Sequence, residues 1–197
     1  PDNVLMGLNS SFTYKYFLLY TQFILDDLNI SRRKQADADN YSSGFFQNKF
    51  GYQLGLKINS PYQNIPLSLL FEYNQVQPYT YAHKTAMQSY THYNQALAHP
   101  AGANFKETVL LLNYQIKKSK FLFKYNYIIS GQDTNNSHYG QNIFLSDFEA
   151  ERDGEQFSYG NFNGQGIETH LQNIYAEYSY SFSKFDLILG VAYRDEH

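Results

Sequence analysis

Between Tyr79 and Asn104 the chain reads YTYAHKTAMQSYTHYNQALAHPAGAN, which holds three of its six histidines, His83, His92 and His99. Imidazole is a common ligand for first-row metals, but these three stand nine and seven residues apart. That spacing fits neither the paired histidines of a zinc helix nor a Cys/His ribbon, and the chain has no cysteine. Loop histidines can still converge in space, so a metal stays open as one reading, although no carboxylate lies between them. A second reading is structural: imidazole, phenol and amide groups satisfy buried backbone groups inside a folded loop, and Pro100 and Gly102 set a tight turn. A third reading is recognition. Tyrosine faces stack on sugar rings at low entropic cost while amides and imidazoles give directional hydrogen bonds. The stretch therefore supplies glycan-facing or structural loop candidates: Tyr79, Tyr81, His83, Tyr90, His92, Tyr93, Asn94, Gln95 and His99.

Carboxylates are the other chemistry-bearing groups. Glu72, Glu107 and Glu177 fall on the polar sides of alternating segments, together with Lys57 and Lys124. Two nearby carboxylates can do general acid–base work. The competing reading is a polar network filling the inside of a barrel, because charge is costly on a lipid-facing surface. No residue is assigned a catalytic role, and no cofactor is expected. Asp26-Asp27 at a strand end, and the Asp147, Glu149, Glu151, Asp153, Glu155 cluster, have oxygen ligands for Ca²⁺ but no EF-type spacing. A headgroup-level marker and a solvated loop are the plainer readings.

The elements that must position these residues follow a period of two. In FLFKYNYII, Phe121, Phe123, Tyr125, Tyr127 and Ile129 share a face, opposite Leu122, Lys124, Asn126 and Ile128. FGYQLGLKI, LSLLFEYNQV and FDLILGVAYR repeat the pattern. Eight such segments are expected, at about 3–14, 17–28, 49–59, 66–78, 105–116, 120–131, 170–181 and 185–194. Most are near the ~9–11 residues with which a tilted strand crosses a bilayer. The chain is 18% aromatic, with 20 Tyr, 16 Phe and no Trp, yet its mean hydropathy is -0.53. That combination suits a transmembrane β-barrel, whose lipid-facing and lumen-facing residues alternate. A soluble sandwich also alternates, and the connections discriminate. Short links at 15–16, 60–66, 117–120 and 182–184 rotate with long loops at 29–48, 79–104 and 132–169. Barrels of the outer membrane place tight turns at one end and long loops at the other. Three long unstructured loops are hard to accommodate in a compact soluble domain.

The fold expected is therefore all-β, one antiparallel transmembrane outer-membrane β-barrel region over 1–197 with about eight strands visible. If the long loops face outward, both ends of the sequence lie at the cell surface, so an interior portion of a larger barrel is expected. Eight strands can also close alone. No run approaches the ~20 apolar residues of a spanning helix, and the opening PDNVLMG carries no signal-peptide pattern. The net charge of -3 gives no basic field for nucleic acid.

The segment from Tyr73 to Glu107 carries a resemblance: Gln-Pro-Tyr-Thr-Tyr-Ala-His at 77–83, Ser-Tyr-Thr-His-Tyr-Asn-Gln at 89–95, and Leu-Ala-His-Pro-Ala-Gly-Ala-Asn at 97–104 with Glu107. In these motifs, with SHYGQNIF at 137–144 and FILDDL at 23–28, the chain resembles Bacteroidota outer-membrane barrels of the Wzi-like capsule-assembly and RemB-like gliding-motility group. Ala101 stands where that pattern has a larger apolar residue. The resemblance implies a non-enzymatic barrel in the bacterial outer membrane, its long loops extracellular, acting in surface polysaccharide (capsule) attachment or assembly, or in gliding motility and adhesion. The partners it implies are outer-membrane lipid, surface polysaccharide, and other outer-membrane proteins or lipoproteins. Two alternatives remain: an accessory subunit of a larger outer-membrane secretion or assembly complex, and a passive porin.

Overall fold

The computed structural model describes residues 4–28, 44–62, 66–85, 87–93, 95–134, 137–149, 151–152, 155–156 and 158–197. Eight strands form one antiparallel sheet in which spatial order equals chain order. They are β1 (Met6–Tyr14), β2 (Phe17–Asp27), β3 (Lys49–Asn59), β4 (Leu67–Val76), β5 (Phe105–Ile116), β6 (Ser119–Gln132), β7 (Ile167–Ser181) and β8 (Asp186–Glu196). Each lies within about three residues of its expected bounds because the two-residue period and the turn signals agree. Two-residue ladders, Thr91–His92 with Gln95–Ala96 and Glu151–Arg152 with Glu155–Gln156, and one 3-10 turn at Asp147–Glu149 lie in the long connections. The sheet is open. Among the described residues β1 pairs only with β2 and β8 only with β7, so no closed barrel forms.

The short connections are hairpin turns. Lys15 and Lys117 open the two-residue links after β1 and β5 with φ of 51° and 52°. A positive φ there lets the turn follow the right-handed twist of its strands. The long connections all leave from the other end of the sheet.

The pairing register fixes two faces. Tyr20, Gly55, Glu72, Val109, Asn126 and Asn173 form one row across the sheet; Gln22, Gln53, Asn74, Glu107 and Ile128 form the next. On the opposite face lie Leu8, Phe12, Leu19, Phe23, Leu54, Phe71, Phe121, Leu189 and Val191, all exposed. None of these nine side chains is covered, and only at the loop end does the 133–166 connection reach this face, where Gly164 lies beside Ile129 and Asn163 accepts from Gln75.

The buried core is instead at the loop end of the polar face. There the strand residues Val76 and Phe105 pack with Tyr81, Ala103 and Ile143 from the long connections, flanked by Leu5, Ile24 and Ile128. A second cluster, Phe45, Phe46 and Tyr79, joins the 44–48 segment to the same loops. Deeper along the polar face, Tyr20 lies across Gly55, where a Cβ would come within 2.0 Å of the ring.

Candidate functional site

The 77–104 connection is held over the end of the polar face by carboxylates that the strands supply. Asp26, near the end of β2, is buried. It accepts the Tyr81 backbone N–H at 2.8 Å and the His83 Nε2–H at 3.0 Å. Glu107, on β5, accepts from His99 Nε2 at 3.0 Å. The Ala101 N–H donates to His99 Nδ1 at 3.2 Å, which leaves the imidazole proton on Nε2, facing Glu107. The His99 ring stacks on Phe105 at 4.4 Å. Gly102, at φ 74°, closes the turn by donating its N–H to the His99 carbonyl at 2.9 Å. The histidines thus face different carboxylates, and among the described residues no cluster of three His, Asp or Glu could hold a metal ion.

A second set of anchors joins the 133–166 connection to the first. Asn104 is fully buried at φ 57°. Its Nδ2 donates to the Gly131 and Gln165 carbonyls, both at 2.9 Å, and its Oδ1 accepts the Gly164 N–H at 2.8 Å. Asn163 donates to the carbonyls of Val76 and Phe105, and Gln165 to that of Tyr139. Lys49 at the start of β3 is buried; its Nζ donates to the Ala82 carbonyl at 2.6 Å and pairs with Asp147 at 2.7 Å. Tyr79 donates its hydroxyl to the His138 carbonyl at 2.8 Å, at a φ of 63° that only such over-determined packing holds.

Burial opposes ionisation of Asp133, but His138, the His138 charge, and the backbone N–H groups of Tyr139 and Asn142 together hold its carboxyl below the ordinary range. Burial, then the Asp26 charge, then Tyr90, push the Tyr81 phenol up to about 12. It stays protonated and can donate.

Between the 77–104 loop and the polar face lies a cavity of about 400 Å³. Tyr81, Tyr90, Leu97 and His99 line it from the loop side; Gln22, Gln53 and Asn74 line it from the strands. Below it runs a hydrogen-bonded network. Glu72 accepts from Tyr20 and from Gln53 at 2.8 Å, while Asn74 bridges Glu72 and Glu107 at 3.2 and 2.8 Å. Asn126 extends it to Asn173, donating to Glu107 at 2.6 Å.

The candidate residues therefore separate. Tyr79 and Tyr81 are buried and serve the loop's own packing; His83 and His99 are its anchors. Tyr90, His92, Tyr93 and Gln95 are exposed at the tip, where the His92 and Tyr93 rings meet at 4.3 Å. Asn94 lies outside the described residues, as do most of the 29–48 loop and the side chains of Glu151, Asp153 and Glu155.

Of the residues expected to fill the inside of a barrel, Glu72 and Glu107 share the network. Glu177 instead accepts from the Tyr175 hydroxyl, Lys124 sits over the Tyr175 ring at 5.6 Å, and Lys57 is exposed two residues from the end of β3. The lysines do not pair with Glu72 and Glu107: their rows lie nearer the short turns, and tyrosine, amides and one imidazole hydrogen-bond to these carboxylates instead. Asp26 proves to be a buried anchor.

The amide anchors Asn104, Asn163 and Gln165 escape sequence reasoning, because an Asn/Gln/Gly-rich loop reads as solvated. The one available signal was Asn104 at the end of a Pro-Ala-Gly-Ala turn, since Asn tolerates positive φ. No family model, curated protein or solved structure matches the chain.

Proposed function

We propose that this chain is wall and cap of a transmembrane β-barrel in a bacterial outer membrane. In this reading it acts without catalysis, in surface polysaccharide attachment or assembly, or in gliding and adhesion. One observation carries it: the exposed large apolar side chains crowd one face of the sheet, while the opposite face bears a connected polar network and the buried cluster to which both long connections contribute. In water such a face would expose far more contiguous apolar area than a soluble monomer tolerates. Against lipid it needs no cover, and the polar face becomes the lumen side. The exposed tip, Tyr90, His92, Tyr93 and Gln95, then presents aromatic and hydrogen-bonding groups beyond the membrane, the chemistry that suits glycans.

The chain has no tryptophan, so single reporters can be placed in it. Leu54→Trp on the apolar face is quenched by brominated lipid in vesicles, and Gln53→Trp on the polar face is not. Equal quenching of both removes the barrel reading. The glycan part is tested separately: the purified protein retains a defined polysaccharide from a capsule-glycan panel, and Tyr90→Ala with Tyr93→Ala abolishes retention. Binding to no member of the panel, with Leu54→Trp still quenched, leaves the barrel and removes the glycan role.

A further inference from the structure

We infer that the short-turn end of the sheet is a rim that seats on the anionic headgroups of phospholipids, an inference that rests on the membrane reading above. The chain as a whole carries a net charge of -3. Its charges are nonetheless sorted along the strands. Within three residues of the four short connections stand six lysines, Lys15, Lys57, Lys117, Lys118, Lys120 and Lys184, against one carboxylate, Asp186. The anchoring carboxylates Asp26, Asp133 and Asp147 all lie at the loop end.

The four lysines in the turns themselves, Lys15, Lys117, Lys118 and Lys184, are exposed, and among the described residues none forms an ion pair. Against these four cations the rim sets one carboxylate, Asp186, so its balance stays positive, and a layer of phosphate groups would offset it.

The neighbours of these lysines favour a lipid source of that phosphate over an acidic protein surface. Tyr14, Phe17, Phe121 and Phe185 stand beside the turns, exposed, and on the same face as Leu54 and Phe71. Lys15 Nζ lies 5.2 Å over the Tyr14 ring. The apolar face thus runs without a break into an aromatic edge and then into ammonium groups. That is the order of a bilayer leaflet from acyl chain through interface to headgroup. A protein partner would have no reason to match it.

The test uses Phe17→Trp as a reporter beside the turn, in vesicles mixing phosphatidylcholine with phosphatidylglycerol, one or the other brominated. At low salt the phosphatidylglycerol quenches more strongly at equal mole fraction. The relative binding constant favours it about fivefold, the preference expected from about one effective lysine–headgroup contact near the reporter. High salt brings the ratio toward one in the otherwise unsubstituted protein. Replacing Lys15, Lys117, Lys118 and Lys184 together by Gln does the same at low salt. Equal quenching by both lipids at low salt overturns the inference and leaves the membrane reading standing. Quenching by neither removes the membrane reading, and the inference with it.

Discussion

Replacing Asn104 by Ala tests whether the two long connections are one unit. The side chain holds the Gly131 and Gln165 carbonyls and the Gly164 N–H in a fully buried place. Removing it strands one N–H and weakens two carbonyls that keep a second lone pair. A buried polar group left unpaired costs about 1–3 kcal/mol, so the N–H sets the scale and the carbonyls add a fraction each. Ala must also hold φ near 57°, which costs about 1 kcal/mol more than a residue that tolerates the left-handed region. The expected loss is about 3–5 kcal/mol, capped by the free energy at which the loops open locally. Two companions separate the terms. Asn104→Gly removes the bonds and relieves the backbone, so it falls about 1 kcal/mol short of Ala. Asn104→Asp keeps the acceptor for Gly164 but turns the donors into oxygen facing oxygen, so it is at least as damaging as Ala. Hydrogen exchange at the amides of Gly131 and Gly164, with the protein in lipid vesicles, reads the loss directly. An Ala variant within about 0.5 kcal/mol of the parent, or a tolerated Asp, would refute the account of Asn104 as a junction.

Lys49→Met leaves Asp147 buried without its partner and costs about 3–5 kcal/mol in denaturant midpoint, whereas Lys49→Met with Asp147→Leu recovers most of it. Gly131→Ala puts a Cβ 1.7 Å from the Gln165 carbonyl, so the 161–166 segment must shift, and exchange there rises without loss of the strands. Because the folded structure holds the Asp133 carboxyl below its ordinary value near 4, its contribution is complete above that pH and fades as acid protonates it. Loop protection therefore falls below about pH 4 in the parent and less so in Asp133→Asn. On the apolar face, Leu54→Arg costs about 2–4 kcal/mol in lipid vesicles, with little effect expected from Lys57→Arg on the other face.

The strands were legible because period two is a local signal and each short turn announces itself. Lys15 and Lys117 supply no glycine, yet the alternation on both sides of them fixes where the chain must reverse. The placement of the 77–104 loop was legible in kind: Pro100 and Gly102 turn where expected, and His83 and His99 bond into the loop's seat. Their partners were not. Asp26 stands 57 residues from His83 along the chain, and only the register of β2 against β3 through β5 brings it under the same loop as Glu107, which is eight residues from His99. The same non-local pairing hides Asn104, Asn163 and Gln165, whose partners are mostly backbone carbonyls, groups that every residue carries and no sequence distinguishes.

The close approach of Tyr20 to Gly55 has a consequence for how the sheet assembles. A slip of one residue between β2 and β3 would exchange their faces and is opposed by every apolar side chain. A slip of two keeps the faces, and the alternating pattern does not resist it. It would, however, set the Tyr20 ring against Gln53 or Lys57, where a side chain already fills the space that Gly55 leaves empty. The notch and the ring act as a lock and its ward: they admit one even register and refuse the next. Gly55→Ala should therefore permit misregistered sheets to accumulate during folding, an error that hydropathy alone cannot correct.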